Sequence, residues 1–138
     1  MKLSRTNALI PIQPDAGEAT LVGKEGYAMS VLPGGTLCVH GDAISGTPFG
    51  VLVHAVPYPE KATVAVAAGG LAGTVRVKLF QAVTEVGSYL KLVDSAGGCA
   101  FGPDPSTGER IVMAQALETG AIGELIEAVL FKPIYYGP

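Results

Sequence analysis

The chain has no tryptophan, two histidines and two cysteines in 138 residues. Two thiols, Cys38 and Cys99, cannot form the disulfide framework of a small secreted domain, so both are expected to be buried and reduced. Charge is scarce as well, at 15% of residues against about 25% in an average soluble domain. The nine basic residues stand singly and the net charge is −3. Phosphate contacts need clustered Lys and Arg, so nucleic acid is not an expected partner. No apolar run approaches the ~18 residues of a membrane-spanning helix, so no membrane partner is expected either. The opening stretch MKLSRTNALIPIQPD has a basic end, but its apolar run is short and broken by Pro11 and Pro14. It does not read as a signal peptide, and synthesis in a cytoplasm is the expectation.

What is abundant is apolar and small: 49% hydrophobic residues together with 19 glycines. The length suits one domain with a real core. A chain this poor in charge has trouble covering its own surface. Burial against other chains, in an oligomer or larger assembly, is the expected solution.

The sequence divides into an extended N-terminal arm over 1–20, a single β-rich domain over 21–133 and a short aromatic tail over 134–138. Pro11 and Pro14 exclude regular helix from the arm, and IPIQPD reads as polyproline-like or edge conformation. Leu9, Ile10 and Ile12 have little local structure to pack on. They either tuck onto the domain as a terminal strand or reach a neighbouring subunit. From Gly35 onward, short β-branched runs alternate with Gly, Pro and Asp: GTLCVHG, FGVLVHAV and ATVAVAA. After a GGLAG turn, TVRVKLF alternates cleanly, with Val75, Val77 and Leu79 one way and Arg76 and Lys78 the other. SYLKLVD sets Leu90 and Leu92 against Tyr89, Lys91 and Val93. SAGGCAFGPDPSTG reads as a surface loop.

The stretch GERIVMAQALETGAIGELIEAVLF is ambiguous. As a helix it would carry a passable apolar stripe, but Gly120 and Gly123 would each cost about 1 kcal/mol in its interior. As strands, Ile111, Met113 and Leu117 face one way and Val112, Ala114 and Ala116 the other, with ETGAIG as the connection. Strand–turn–strand is favoured, and a short helix over 111–118 is the rival. Pro133 then closes the domain. Strand signals every 8–15 residues indicate a mainly β domain, an antiparallel barrel or sandwich with at most one or two short helices.

Candidate chemistry is thin. Cys38, His40 and Asp42 share one face of an extended run, but no second ligand pair of zinc-like spacing accompanies them. A Cys38–His40 nucleophilic pair lacks an orienting third group. Glu118, Glu124 and Glu127 are spaced for solvent or for ion pairs rather than for acid–base work. GGLAG lacks the Lys-Ser/Thr ending of a phosphate loop. No metal, cofactor or catalytic residue is therefore assigned. One alternative is a small oligomeric β-barrel enzyme using His40, His54, or Glu109 with Arg110 at a subunit boundary.

The phrase GERIVMAQALETGAIGELIEAVLFKP, preceded by LVDSAGGCAFGPDPSTG, resembles the C-terminal half of tailed-bacteriophage capsid cement proteins, also called decoration or auxiliary head proteins. The upstream LPGGTLCVHGDAISGTPFGVLVHA is similar to the Gly-rich strand region of that family, so the resemblance spans about residues 20–133. It implies a small β-barrel or β-tulip-like fold on the outer surface of an icosahedral head, with the major capsid protein as partner. It also implies self-association, a homotrimer being favoured and a dimer the alternative. No family active site exists to carry over. The expected function is bridging of neighbouring capsid subunits. A receptor- or glycan-binding head surface module is a further alternative, with Tyr135 and Tyr136 its one hint. The expected contact residues are Leu9, Ile10, Ile12 and Pro14 in the arm, Pro103, Asp104, Glu109 and Arg110 in one loop, and Phe131, Tyr135 and Tyr136 at the end of the chain.

Overall fold

The computed structural model of the chain describes residues 9–10, 21–31, 37–57, 60–66, 74–95 and 97–138. Among the described residues, ten strands make two five-stranded sheets in which every strand pairing is antiparallel. The first sheet contains β1 (Leu9–Ile10), β2 (Ala28–Val31), β3 (Leu37–Val39), β4 (Gly50–Pro57) and β5 (Glu60–Val66), in the order β1-β5-β4-β2-β3. The second contains β6 (Val75–Lys78), β7 (Tyr89–Val93), β8 (Ala100–Pro103), β9 (Arg110–Ala116) and β10 (Leu125–Tyr136), in the order β6-β10-β9-β7-β8. Among the described residues there is no helix, so the helical rival over 111–118 does not hold, and the strand reading holds as far as Ala116.

The second sheet nearly closes into a barrel. Its edges meet just past β6, where Leu79 bridges Phe101 of β8 and the Phe80 N–H donates to the Phe101 carbonyl at 2.8 Å. Inside lie Val75, Val77, Leu79, Leu90, Leu92 and Ile126, the inward set that alternation predicts for β6 and β7. Phe101 is fully buried at the closure. Each such side chain contributes about 1.5–3 kcal/mol relative to exposure. The first sheet adds Ala28 and Val51 to this core, and a second cluster forms around Met29, Leu52 and Val64.

Gly26 joins the two sheets. Its N–H donates to the Leu52 carbonyl of β4 at 2.9 Å, and its carbonyl accepts the Lys78 N–H of β6 at 3.0 Å. Its φ is +88°, and a Cβ there would lie 2.5 Å from the Lys78 nitrogen. Only glycine fits that position.

Two irregularities reshape the β9 neighbourhood. Lys91 and Leu90 of β7 pair with Val112 and Ala114, leaving Met113 as an extra residue on β9. On the other side, four positions of β10 from Leu130 to Ile134 span the two from Ala114 to Val112. Bulges shift the inward–outward alternation by one residue. Ile111 and Met113 point inward before the shift, Ala114 and Ala116 after it, and all four sit in one core.

Several expectations are corrected here. Leu117 was expected to share the face of Ile111 and Met113, but it lies outside, 43% exposed. SAGGCAFGPDPSTG is not all surface loop, because it contains β8, with Cys99, Ala100 and Phe101 fully buried. Flanking Gly, Pro and Ser mask a strand of only four residues. Residues 134–136 are not a tail and Pro133 does not close the domain, since β10 continues through Ile134↔Val112, Tyr135↔Ile111 and Tyr136↔Arg110. Pro133 lies in the bulge, where the ladder is interrupted and a missing N–H is tolerated. Cys38 is half-buried, so of the two thiols only Cys99 is buried. In the arm, Leu9 and Ile10 pair with Ala65 and Val64 of their own chain. Ile12 and Pro14, like the GGLAG turn, lie outside the described residues.

Candidate functional site

The residues with chemical potential are engaged in local structure. The His40 imidazole is buried, with Ser30 Oγ 2.5 Å from Nδ1 and the Ser45 carbonyl 3.0 Å from Nε2. A carbonyl only accepts, so Nε2 carries the proton and Nδ1 accepts from the Ser30 hydroxyl. Asp42 turns to its own loop rather than to Cys38 or His40. It accepts the Ile44 N–H at 3.0 Å and the Ser45 hydroxyl at 2.7 Å. Those bonds, the Ile44 one foremost, hold its carboxyl below the ordinary carboxylate value. Burial, with help from the Asp94 carboxylate, pushes the Cys99 thiol up to about 12. Its Sγ donates to Asp94 Oδ1 at 3.3 Å. A thiol so held is inert at neutral pH. His54 is exposed on β4. Among the described residues, no group of three or more His, Cys, Asp or Glu is placed to hold a metal ion.

Three of the expected contact residues, Asp104, Phe131 and Tyr136, meet at one cleft. A cleft of ≈ 630 Å³ opens beside the β10 bulge, lined by Tyr89, Asp104, Val112, Phe131, Lys132, Pro133, Ile134 and Tyr136. Tyr89 and Phe131 meet edge to face, 6.0 Å between ring centres. Tyr89 is 54% exposed and Ile134 44%. The face lies at this irregularity, where Phe131, Lys132 and Pro133 intervene opposite the single Met113 and line the cleft together with Val112.

Arg110 anchors the face from beneath. It was expected to present itself to a partner, but it is only 9% exposed and cannot. Its Nε donates to Asp104 Oδ1, its Nη1 donates to the Gly108 carbonyl at 2.8 Å, and its guanidinium lies 4.3 Å from the centre of the Tyr136 ring. Asp104 is itself fixed. Its N–H donates to the Tyr89 carbonyl at 2.8 Å, and its carboxylate also accepts the Ser106 N–H at 3.1 Å. The 103–110 loop is thus a brace for the Tyr89–Tyr136 surface. Next to it Tyr135 donates to Glu109, and that acceptor raises the phenol's pKa above its ordinary value. Glu109 thus accepts from Tyr135, while Arg110 is held by Asp104 and the Gly108 carbonyl. Pro103 lies half-buried at the end of β8, paired with Leu90.

The sequence reading missed Tyr89, Val112, Lys132, Pro133 and Ile134 as members of this face. Tyr89 carried a signal, since alternation already placed it on the outer side of its strand. Pro133 carried a misleading one, because proline reads as a stop. Lys132 is exposed on the rim and has no ion pair among the described residues.

Comparison with known proteins returns nothing similar: no family model, no curated protein and no solved structure matches this chain.

Proposed function

We propose that this protein works by adhesion, as a capsid cement protein on the outside of a tailed-phage head. It bridges neighbouring major capsid protein subunits and associates with its own copies, a trimer being the favoured assembly. It performs no reaction in that role. The observation that carries the reading is the exposed aromatic face of β7, β9 and β10, held rigid by the buried Arg110–Asp104 pair. Large exposed apolar surface rimmed by polar groups is characteristic of contact sites, and a rigid anchor lowers the ordering cost of binding. The phrase-level resemblance to cement proteins supplies the capsid as partner. On a shell, weak contacts made simultaneously by several linked copies multiply in effect.

The test is co-sedimentation of the purified protein with mature heads of the phage that encodes it. Saturable binding at a fixed number of copies per head is expected. A protein that stays in the supernatant with mature and immature heads alike contradicts the reading.

A further inference from the structure

We propose that the aromatic cleft beside the β10 bulge receives the Pro11–Asp15 segment of a second copy of this chain. The cleft presents the rings of Tyr89, Phe131 and Tyr136 together with Pro133. Aromatic-lined grooves of this kind suit extended proline-bearing peptides. Such segments have no internal hydrogen bonds to disrupt and little conformational entropy left to lose.

The sequence contains one pair of prolines three residues apart, Pro11-Ile12-Gln13-Pro14. A polyproline helix has three residues per turn, so that spacing places both proline rings on one edge. Charge agrees with the match. Asp15 follows directly, and residues 11–20 carry Asp15 and Glu18 with no basic residue. On the receiving side the Arg110 charge is met by Asp104, which leaves Lys132 as the cation on the rim.

A second copy is the source we assign. Both ends of the segment are held on the first sheet, by Ile10 on β5 and by Leu21 in the Met29–Leu52 cluster, whereas the cleft lies on the second sheet. A segment of one copy in the cleft of the next is a head-to-tail contact. Such contacts generate rings when the rotation closes, which accommodates a trimer. The inference rests on the adhesive reading only for the expectation that copies meet. Its tests need no capsid, so the two can fail separately.

The probe is a synthetic peptide of residues 8–18, ALIPIQPDAGE. It is titrated into the full chain carrying Pro11→Ala and Pro14→Ala, so that the receiver's own segment does not compete. Saturable binding is expected. Tyr89→Ala in the receiver weakens it by about tenfold. Lys132→Glu weakens it a few-fold, and an Asp15→Lys peptide restores the loss. No saturation, or binding indifferent both to Tyr89→Ala and to alanine at the peptide prolines, overturns the proposal.

Source is decided by mixing two full-length variants. One has a damaged cleft (Tyr89→Ala with Lys132→Glu), and the other has a damaged segment (Pro11→Ala with Pro14→Ala). Each alone is expected to sediment as a smaller species than the unaltered protein, and the mixture is expected to form a one-to-one heterodimer through its single intact segment–cleft contact. Unchanged size for either variant alone, or no heterodimer on mixing, removes the second copy as occupant. Thermal melting of each variant confirms that the fold persists.

Discussion

Removing the Asp104 carboxylate is expected to cost far more than a loop substitution ordinarily does. In Asp104→Ala the Arg110 charge stays buried, with the Gly108 carbonyl and the Tyr136 ring as its remaining partners among those identified. Breaking a buried pair from one side typically costs about 3–5 kcal/mol. The Arg110 and Asp104 side chains are 10% and 13% exposed, so water relieves part of this and the lower end applies. Loss of the Ser106 N–H acceptor adds about 1 kcal/mol. For a chain of this length, the combined loss of about 4 kcal/mol corresponds to a fall of roughly 14 °C in melting temperature. The double change Asp104→Leu with Arg110→Met leaves no orphan charge and is expected to recover most of the loss. Thermal and urea unfolding followed by circular dichroism measure both. A single mutant within about 0.5 kcal/mol of the parent, or a double mutant as damaged as the single, refutes the brace.

Three further outcomes follow from the fold. Phe101→Ala empties the closure of the barrel and is expected to lower unfolding free energy by about 3–5 kcal/mol, with Phe101→Leu costing clearly less; equal losses would place the closure elsewhere. Gly26→Ala combines a φ of +88° with a Cβ 2.5 Å from the Lys78 nitrogen, so a loss of about 3 kcal/mol is expected in urea unfolding. The raised thiol of Cys99 links stability to pH. The unfolded thiol ionises near 9.0 and the folded one near 12. The contribution is therefore intact at neutral pH and is lost as pH rises through that window. Cys99→Ala is expected to lessen the fall in urea midpoint between about pH 8 and about pH 10.5, and identical declines in the two proteins would contradict this.

Much of the fold was legible because period-two alternation is a direct consequence of strand geometry. β6 and β7 read correctly from Val75, Val77, Leu79, Leu90 and Leu92. The glycines at 120 and 123 correctly argued against a helix over the final segment, since a β9–β10 connection can use them and a helix cannot. Failures came where local composition and tertiary position disagree. Phe101 lies among turn formers, and its burial depends on barrel closure, which no local window contains. The β9 alternation broke at Met113 because a bulge is set by two neighbouring strands at once. Pro133 read as a terminus because proline breaks ladders, yet the bulge removes the ladder bond it would have broken. The aromatic face was half visible. Asp104, Glu109, Arg110, Phe131, Tyr135 and Tyr136 were singled out from turn and aromatic content. The meeting of Asp104, Phe131 and Tyr136 with Tyr89 and Ile134 needed the strand order β10-β9-β7, and the inward role of Arg110 needed its three partners.

The central claim is that the β7–β9–β10 face is covered when the protein does its work, and oxidative footprinting of its tyrosines tests that most directly. Hydroxyl-radical labelling of Tyr89 and Tyr136 would be compared between dilute free protein and protein bound to mature heads, with exposed His54 as the internal reference. The account predicts a several-fold loss of labelling at both tyrosines on heads and little change at His54. Tyrosines labelled equally in the two states would contradict it.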